Sequence, residues 1–318
     1  MGVAPPNLLD RRLLFVTGKG GVGKTTIAAA LATLAAEQGR RTLVCEVDAK
    51  GNLGEFVGSS NLKFQPREVH PGLFAMHMET EESLKEYLRL QLRVPLLSRL
   101  GPLARTFDFV ATAAPGVKEI LTIGKLAYEV RERNYDLVIV DASATGHVVG
   151  ELASPVAMSD LVRVGVVRQQ TDWMIEILQD PATTGVVIVT TPEEMPVNET
   201  LDLMGRLDAE TDIDIAAVIA NRVLPELFNR GEEETFEQLD QPEARATLAE
   251  VVGEGGPDVI DAARLAVSLR RASATHLTTL RSKLPANLSL VYVPYQFTRT
   301  HGMRTTRIVA EHLAQEVL

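Results

Sequence analysis

The sequence predicts an α/β fold with a doubly wound, mostly parallel sheet, and three observations carry that expectation. Short, continuously apolar, β-prone runs recur along the chain, the pattern of strands buried on both faces. Helical patterns alternate with them, which layers helices against one central sheet. A glycine-rich loop sits between the first such run and the first helix, where an α/β sheet places ligand phosphates.

The runs are Leu13 to Val16, Leu43 to Cys45, Leu137 to Val140, Val186 to Val189, Ala217 to Ala220 and Leu290 to Val293. Helices are expected over Lys24 to Gln38, closed by Gly39, over Pro196 to Leu207, and over Thr305 to Val317. Two helical stretches rich in Leu, Val and Ala interrupt the alternation, about 80–133 and about 151–180, and are expected to form a helical subdomain inserted in a single domain spanning 1–318. A more polar stretch from Glu226 to Arg281 reads as surface helices broken at Gly253-Glu254-Gly255-Gly256-Pro257.

Bulk composition narrows the function classes. Apolar residues make up 45% of the 318 and charged residues 23%, an ordinary soluble balance. A net charge of −10, with Lys and Arg never in long runs, argues against nucleic acid as a partner. Neither a signal-peptide core in Met1 to Arg12 nor a membrane-length apolar run is evident, so a cytoplasmic protein that is not integral to a membrane is expected. The single cysteine, Cys45, lies in an apolar run and reads as a buried structural thiol.

The chemistry starts at Gly18-Lys19-Gly20-Gly21-Val22-Gly23-Lys24-Thr25-Thr26, which fits G-x-x-x-x-G-K-[ST] after a strand and before a helix. Glycines let backbone N–H groups curl around a phosphate, Lys24 neutralises the β/γ oxygens, and Thr25 offers a hydroxyl to Mg²⁺. Asp48 follows the second run, where a carboxylate can orient the attacking water or join Thr25 and Asp141 at the metal. Asp141 ends the run Leu137-Val138-Ile139-Val140, the arrangement in which a carboxylate holds Mg²⁺. ATP and Mg²⁺ are therefore the expected ligands.

Lys19, directly after the loop's first glycine, marks a resemblance to the deviant phosphate-loop ATPases. Within these, Asp141-Ala142-Ser143-Ala144-Thr145-Gly146-His147 resembles the D-T-A-P-T-G-H switch of the ArsA family, the arsenite-pump and tail-anchored-protein-targeting ATPases. Asp48 to Leu53 is similar to that family's D-P-A-H-[SN]-L switch, and Ala114 to Glu119 to its P-G segment. The resemblance implies that Lys19 reaches across a dimer to the partner's nucleotide, beside Lys24 and Asp48 as catalytic residues. It also implies nucleotide contacts at Asn52, Asn221, Pro294 and Tyr295. The chain departs from the pattern at Ala49, Lys50 and Gly51, and at Ser143 and Ala144, and it lacks the family's zinc-clip and arsenite cysteines.

What the resemblance implies for function is an ATP-driven dimeric switch, a homodimer or a heterodimer with a paralogue, that handles a hydrophobic client segment or a membrane protein. Leu84, Leu88, Leu92, Leu96, Leu97, Leu100, Leu103 and Phe107 supply apolar positions at roughly helical spacing for such a client, or for packing against the sheet. The alternatives are the soluble ATPase of an anion or metalloid transporter, and a regulatory ATPase of the septum-site or partition class. A metalloid needs thiolates that one cysteine does not supply. A septum-site protein needs a basic amphipathic C-terminal helix, which Arg307 to Leu318 is not.

Overall fold

A computed structural model describes residues 7–47, 52–91, 116–162, 164–253, 255–298 and 302–317. Each of the apolar runs forms a strand: β1 (Leu13–Gly18), β2 (Thr42–Glu46), β5 (Leu137–Ala144), β6 (Thr184–Thr190), β7 (Ile215–Val223) and β8 (Ser289–Pro294). Two further strands, β3 (Arg67–His70) and β4 (Leu73–His77), form a hairpin around Pro71-Gly72. The eight strands are ordered β3-β4-β2-β5-β1-β6-β7-β8, all parallel to their neighbours except β3, which closes one edge antiparallel to β4.

The central strands are buried on both faces, which explains why their runs are continuous rather than alternating, while the edge strands β3 and β8 keep exposed residues. On one face Leu14, Val16 and Val187 pack beneath Ile27 and Leu31 of α1 (Lys24–Glu37) and beneath Val309 and Leu313 of the C-terminal helix Met303–Val317. That last helix is thus part of the core. On the other face Leu13, Phe15 and Val140 share a core cluster with α4 (Val117–Arg131), α5 (Thr145–Leu161) and α7 (Glu194–Glu210), joined by Leu178 and Leu280 of two further helices. The short α2 (Leu53–Phe56) follows β2, and α3 (Thr80–Gln91) follows β4.

α3, α4, α5 and α6 (Val166–Gln179) pack on one another as a helical layer on that second face. The polar stretch after β7 forms α8 (Arg230–Leu239), α9 (Pro242–Val252) and the 29-residue α10 (Gly255–Lys283), with α9 ending at Gly253. An Asn229–Glu232 capping box starts α8. The C-terminal helix takes the label α11.

Candidate functional site

The carboxyl ends of β1, β5 and β6 meet at the centre of the sheet, where chain connections diverge to either side. β1 runs into the loop 18–23, and two glycines there have steric reasons to be glycine. A Cβ on Gly18, at φ +148°, would stand 2.1 Å from the Val189 carbonyl oxygen of β6. On Gly23, at φ +98°, it would stand 2.4 Å from Asn221 Nδ2. α1 then begins at Lys24 with no side chain capping its first turn, so its leading N–H groups and dipole face the loop's concavity, a site for phosphate oxygens.

Lys24, Thr25 and Thr26 occupy that first turn, half-buried. Thr25 Oγ1 donates to Asp141 Oδ2 at 2.6 Å. The register sets Asp141 beside Val16 on β1 and Glu46 on β2, and the side chain is buried. A hydroxyl and a carboxylate held together at the end of a phosphate loop are hard oxygen donors of the kind Mg²⁺ takes alongside phosphate. Thr17 Oγ1 donates to the Ser143 carbonyl at 2.8 Å, tying the end of β5 to the base of the loop.

Asn221, at the end of β7, is buried with both ends of its amide engaged. Nδ2 donates to the Val22 carbonyl at 2.8 Å and Oδ1 accepts from Arg222 N at 2.9 Å. In this arrangement Asn221 braces the phosphate loop from behind. Pro294 ends β8, and Tyr295, half-exposed beside Phe297 at 4.9 Å between ring centres, donates its N–H to the Val223 carbonyl. Gly20 and Gly21 are exposed and Val22 is buried. Asp48, with Ala49, Lys50 and Gly51, lies outside the described residues.

Lys19 lies apart from the phosphate cradle. Its ammonium donates to Glu199 Oε1 at 2.5 Å and touches the Met195 sulfur, both on α7. Sequence reasoning passed over these two partners, and no local pattern marks them. It also passed over Glu46, which a charged residue closing an apolar strand does signal. The Glu46 side chain is 3% exposed, and its Oε1 accepts from the N–H groups of Asn52, at 2.8 Å, and Leu53, at 3.2 Å. Glu46 thereby pins the last two residues of the Asp48–Leu53 switch, with His77 Nδ1 3.5 Å from its other oxygen.

The helical layer holds the second feature. A cavity of about 290 Å³ opens among α3–α6, lined by Leu84, Ile120, Met158, Val162, Trp173 and Met174 among others. At one end Lys125 is buried between Glu86 (2.7 Å) and Glu129 (2.6 Å). Burial pulls the Lys125 pKa down, but the bonds to Glu129 and Glu86 outweigh it and hold the group above its ordinary value. Of the leucine stripe, Leu84 and Leu88 lie on α3, while Leu92 to Phe107 fall outside the described residues. Methionines reach the cavity from α5 and α6.

Cys45 is fully buried, and burial pushes its thiol far above the ordinary range, so it offers no thiolate. Among the described residues there is no metal-holding group of His, Cys, Asp and Glu, and no helix long and apolar enough to cross a membrane.

Comparison with known proteins sets this geometry in context. The family model described as anion-transporting ATPase matches residues 11–174 and 164–245. The chain is 31% identical over 307 residues to the ATPase BagA of Mycobacterium tuberculosis, covering 91% of this chain and 87% of that protein. To an arsenical pump-driving ATPase of Acidiphilium multivorum it is 28% identical, covering 67% of this chain and 40% of that protein. An ATPase ASNA1 homolog of Entamoeba dispar is 24% identical, with 71% and 82% covered.

Proposed function

The chain belongs to the anion-transporting ATPase family, the ArsA type, and is an ATPase; from that premise we propose that it works as a dimeric switch whose ATP cycle reshapes the helical layer to handle a hydrophobic client. One observation carries this reading. α5 starts at Thr145, in direct continuation of the strand whose Asp141 meets Thr25, and its far end supplies Met158 and Val162 to the cavity. Its 17 residues span about 25 Å, with Pro155 inside the helix before the end that reaches the cavity.

In this reading the loop amides, Lys24 and the first turn of α1 hold the phosphates. Thr25 and Asp141, with Asp48, would hold Mg²⁺, which would offset charge on the transferring phosphoryl group. Asp48 orients the water. Lys19 leaves α7 to reach the partner's nucleotide, while Asn52, Asn221, Pro294 and Tyr295 frame the base and ribose. The hydrolysed bond thereby changes what pulls on the start of α5, and the cavity responds at its end.

Two features favour an apolar client. The cavity combines aromatic rings, Tyr87, Tyr128 and Trp173, with the adaptable side chains of Met158 and Met174. It sits in a layer built by insertions rather than by the sheet. A transporter motor, suggested by the family's description and by its arsenical-pump relatives, is the second reading. The buried Cys45 opposes a metalloid cargo, and an anion would have to be carried by a partner.

Capture of an apolar helical peptide tests the proposal. Binding to the full chain is expected with Mg²⁺ and a non-hydrolysable ATP analogue and to weaken with ADP. Nucleotide-independent capture, or none across a panel of apolar helices, would leave a regulatory ATPase as the better description.

A further inference from the structure

Lys19 is the one lysine of the phosphate loop that does not serve its own cradle, and its tether on α7 is built from two directions. Met195 and Glu199 are four residues apart, so they share one face of α7 and present a thioether and a carboxylate together. The stem of Lys19 emerges from Gly18, which is locked against the Val189 carbonyl and fixes where the side chain starts. Glu199 also faces the Asp141–His147 switch. Its Oε2 lies 3.5 Å from the Thr145 hydroxyl, the outer limit of a hydrogen bond, at the first residue of α5.

We propose that Glu199 is a positioning residue that latches Lys19 in cis in the resting chain, so that the lysine is released toward the partner's nucleotide only when dimer closure outcompetes Glu199. The inference rests on the dimeric reading given above and names the group that restrains it. A single carboxylate then faces both the phosphate-loop lysine and the start of α5. While it holds Lys19, its other oxygen stays beside Thr145; once Lys19 leaves, Glu199 keeps the hydroxyl of α5 as a neighbour.

The latch is weak by construction. Lys19 is 26% and Glu199 36% exposed, and a solvent-screened pair of this kind shifts an equilibrium by about two- to five-fold. That is the right scale for a restraint that ATP must overcome in each cycle. An idle surface pair of identical geometry would leave dimerisation unchanged when removed.

Two readings on the full chain separate these cases. Acylation of the Lys19 amine in nucleotide-free protein, mapped by peptide mass spectrometry, reports the tether. Sedimentation with Mg²⁺ and a non-hydrolysable ATP analogue gives the dimer Kd. Glu199→Gln is expected to raise Lys19 labelling and to tighten the analogue-dependent dimer, each by about two- to five-fold, whereas Glu194→Gln, exposed at the start of the same helix, alters neither. In a Lys19→Ala background Glu199→Gln should have no further effect on Kd. Unchanged labelling overturns the latch, and so does raised labelling with an unchanged or weakened dimer. The trans role is judged separately in mixed dimers: an intact subunit that fails to rescue hydrolysis in a Lys19→Ala neighbour overturns that role and, with it, the latch.

Discussion

The phosphate loop and the α3–α6 layer stand at the two ends of α5, yet they are built by different means. The loop is made of backbone: glycines in conformations other residues resist, a helix start without a side-chain cap, and one carboxylate from the neighbouring strand. The layer is made of side chains from four helices, with a cavity left between them and a buried ion cluster at one end. Backbone cradles suit a ligand whose shape never changes, such as a phosphate. Cavities walled by Met, Tyr and Trp side chains suit one that varies.

The largest expected effect breaks the layer. Lys125 neutralises Glu86 and Glu129 in a buried cluster, so Lys125→Ala leaves two carboxylates facing each other out of water. It should destabilise the fold by about 3–5 kcal/mol, read as a large drop in the denaturation midpoint. ATP affinity of the protein that remains folded should stay near normal, because the cluster lies in the other region.

Lys24→Ala inverts that outcome. In the proposed site the Lys24 ammonium faces the phosphates, so its loss should weaken ATP binding by about a hundred-fold, the scale of a charge-assisted contact, while the melting temperature hardly moves. Calorimetric titration with an ATP analogue checks it.

Within the loop the comparison sharpens to single atoms. Gly23→Ala forces a Cβ to 2.4 Å from Asn221 Nδ2 at φ +98° and should destabilise by about 1–3 kcal/mol. Gly20→Ala meets nothing within 4 Å among the described residues and should fall within about 0.5 kcal/mol of the parent. Equal effects at the two positions would mean that the loop is more adaptable than its geometry indicates.

The smallest effect concerns pH. Burial pushes the Glu151 carboxyl of α5 above its ordinary value. The folded chain therefore keeps this proton at pH values where the unfolded chain has released it, and stability from this group falls as pH rises from the unfolded pKa through the folded one. Glu151→Gln should flatten that fall in melting temperature, with the two proteins nearly coincident below the window.

The same contrast explains what could be read from the sequence. β1, β2, β5, β6 and β7 were legible because burial on both faces writes an unbroken apolar run, β8 because its run is apolar even though Tyr292 at the sheet edge is exposed, and the loop because its function needs contiguous residues. The β3–β4 hairpin was not. Arg67 and Glu68 are exposed at the sheet edge, so their strand carries no apolar signature. Asn221 could be placed at a strand end, but its hold on the Val22 carbonyl joins residues 199 positions apart. Lys19 was legible as an odd lysine, while Glu199 became its partner only once β1 and β6 lay side by side. The cavity draws on four helices, α3 to α6, so the leucine spacing of 84–107 alone pointed at one wall and missed Met158, Trp173 and Met174 on the others.

The central claim is that nucleotide at one end of α5 is felt at the other, and the chain carries its own probe. Trp173 is the only tryptophan, it lines the cavity, it donates to Gln170 at 2.8 Å, and it lies under the Arg131 guanidinium at 4.9 Å. Adding Mg²⁺ and a non-hydrolysable ATP analogue should shift its emission in the parent chain and leave it unmoved in Lys24→Ala. Unchanged Trp173 emission in the parent at a nucleotide concentration where titration shows the site filled would contradict the coupling.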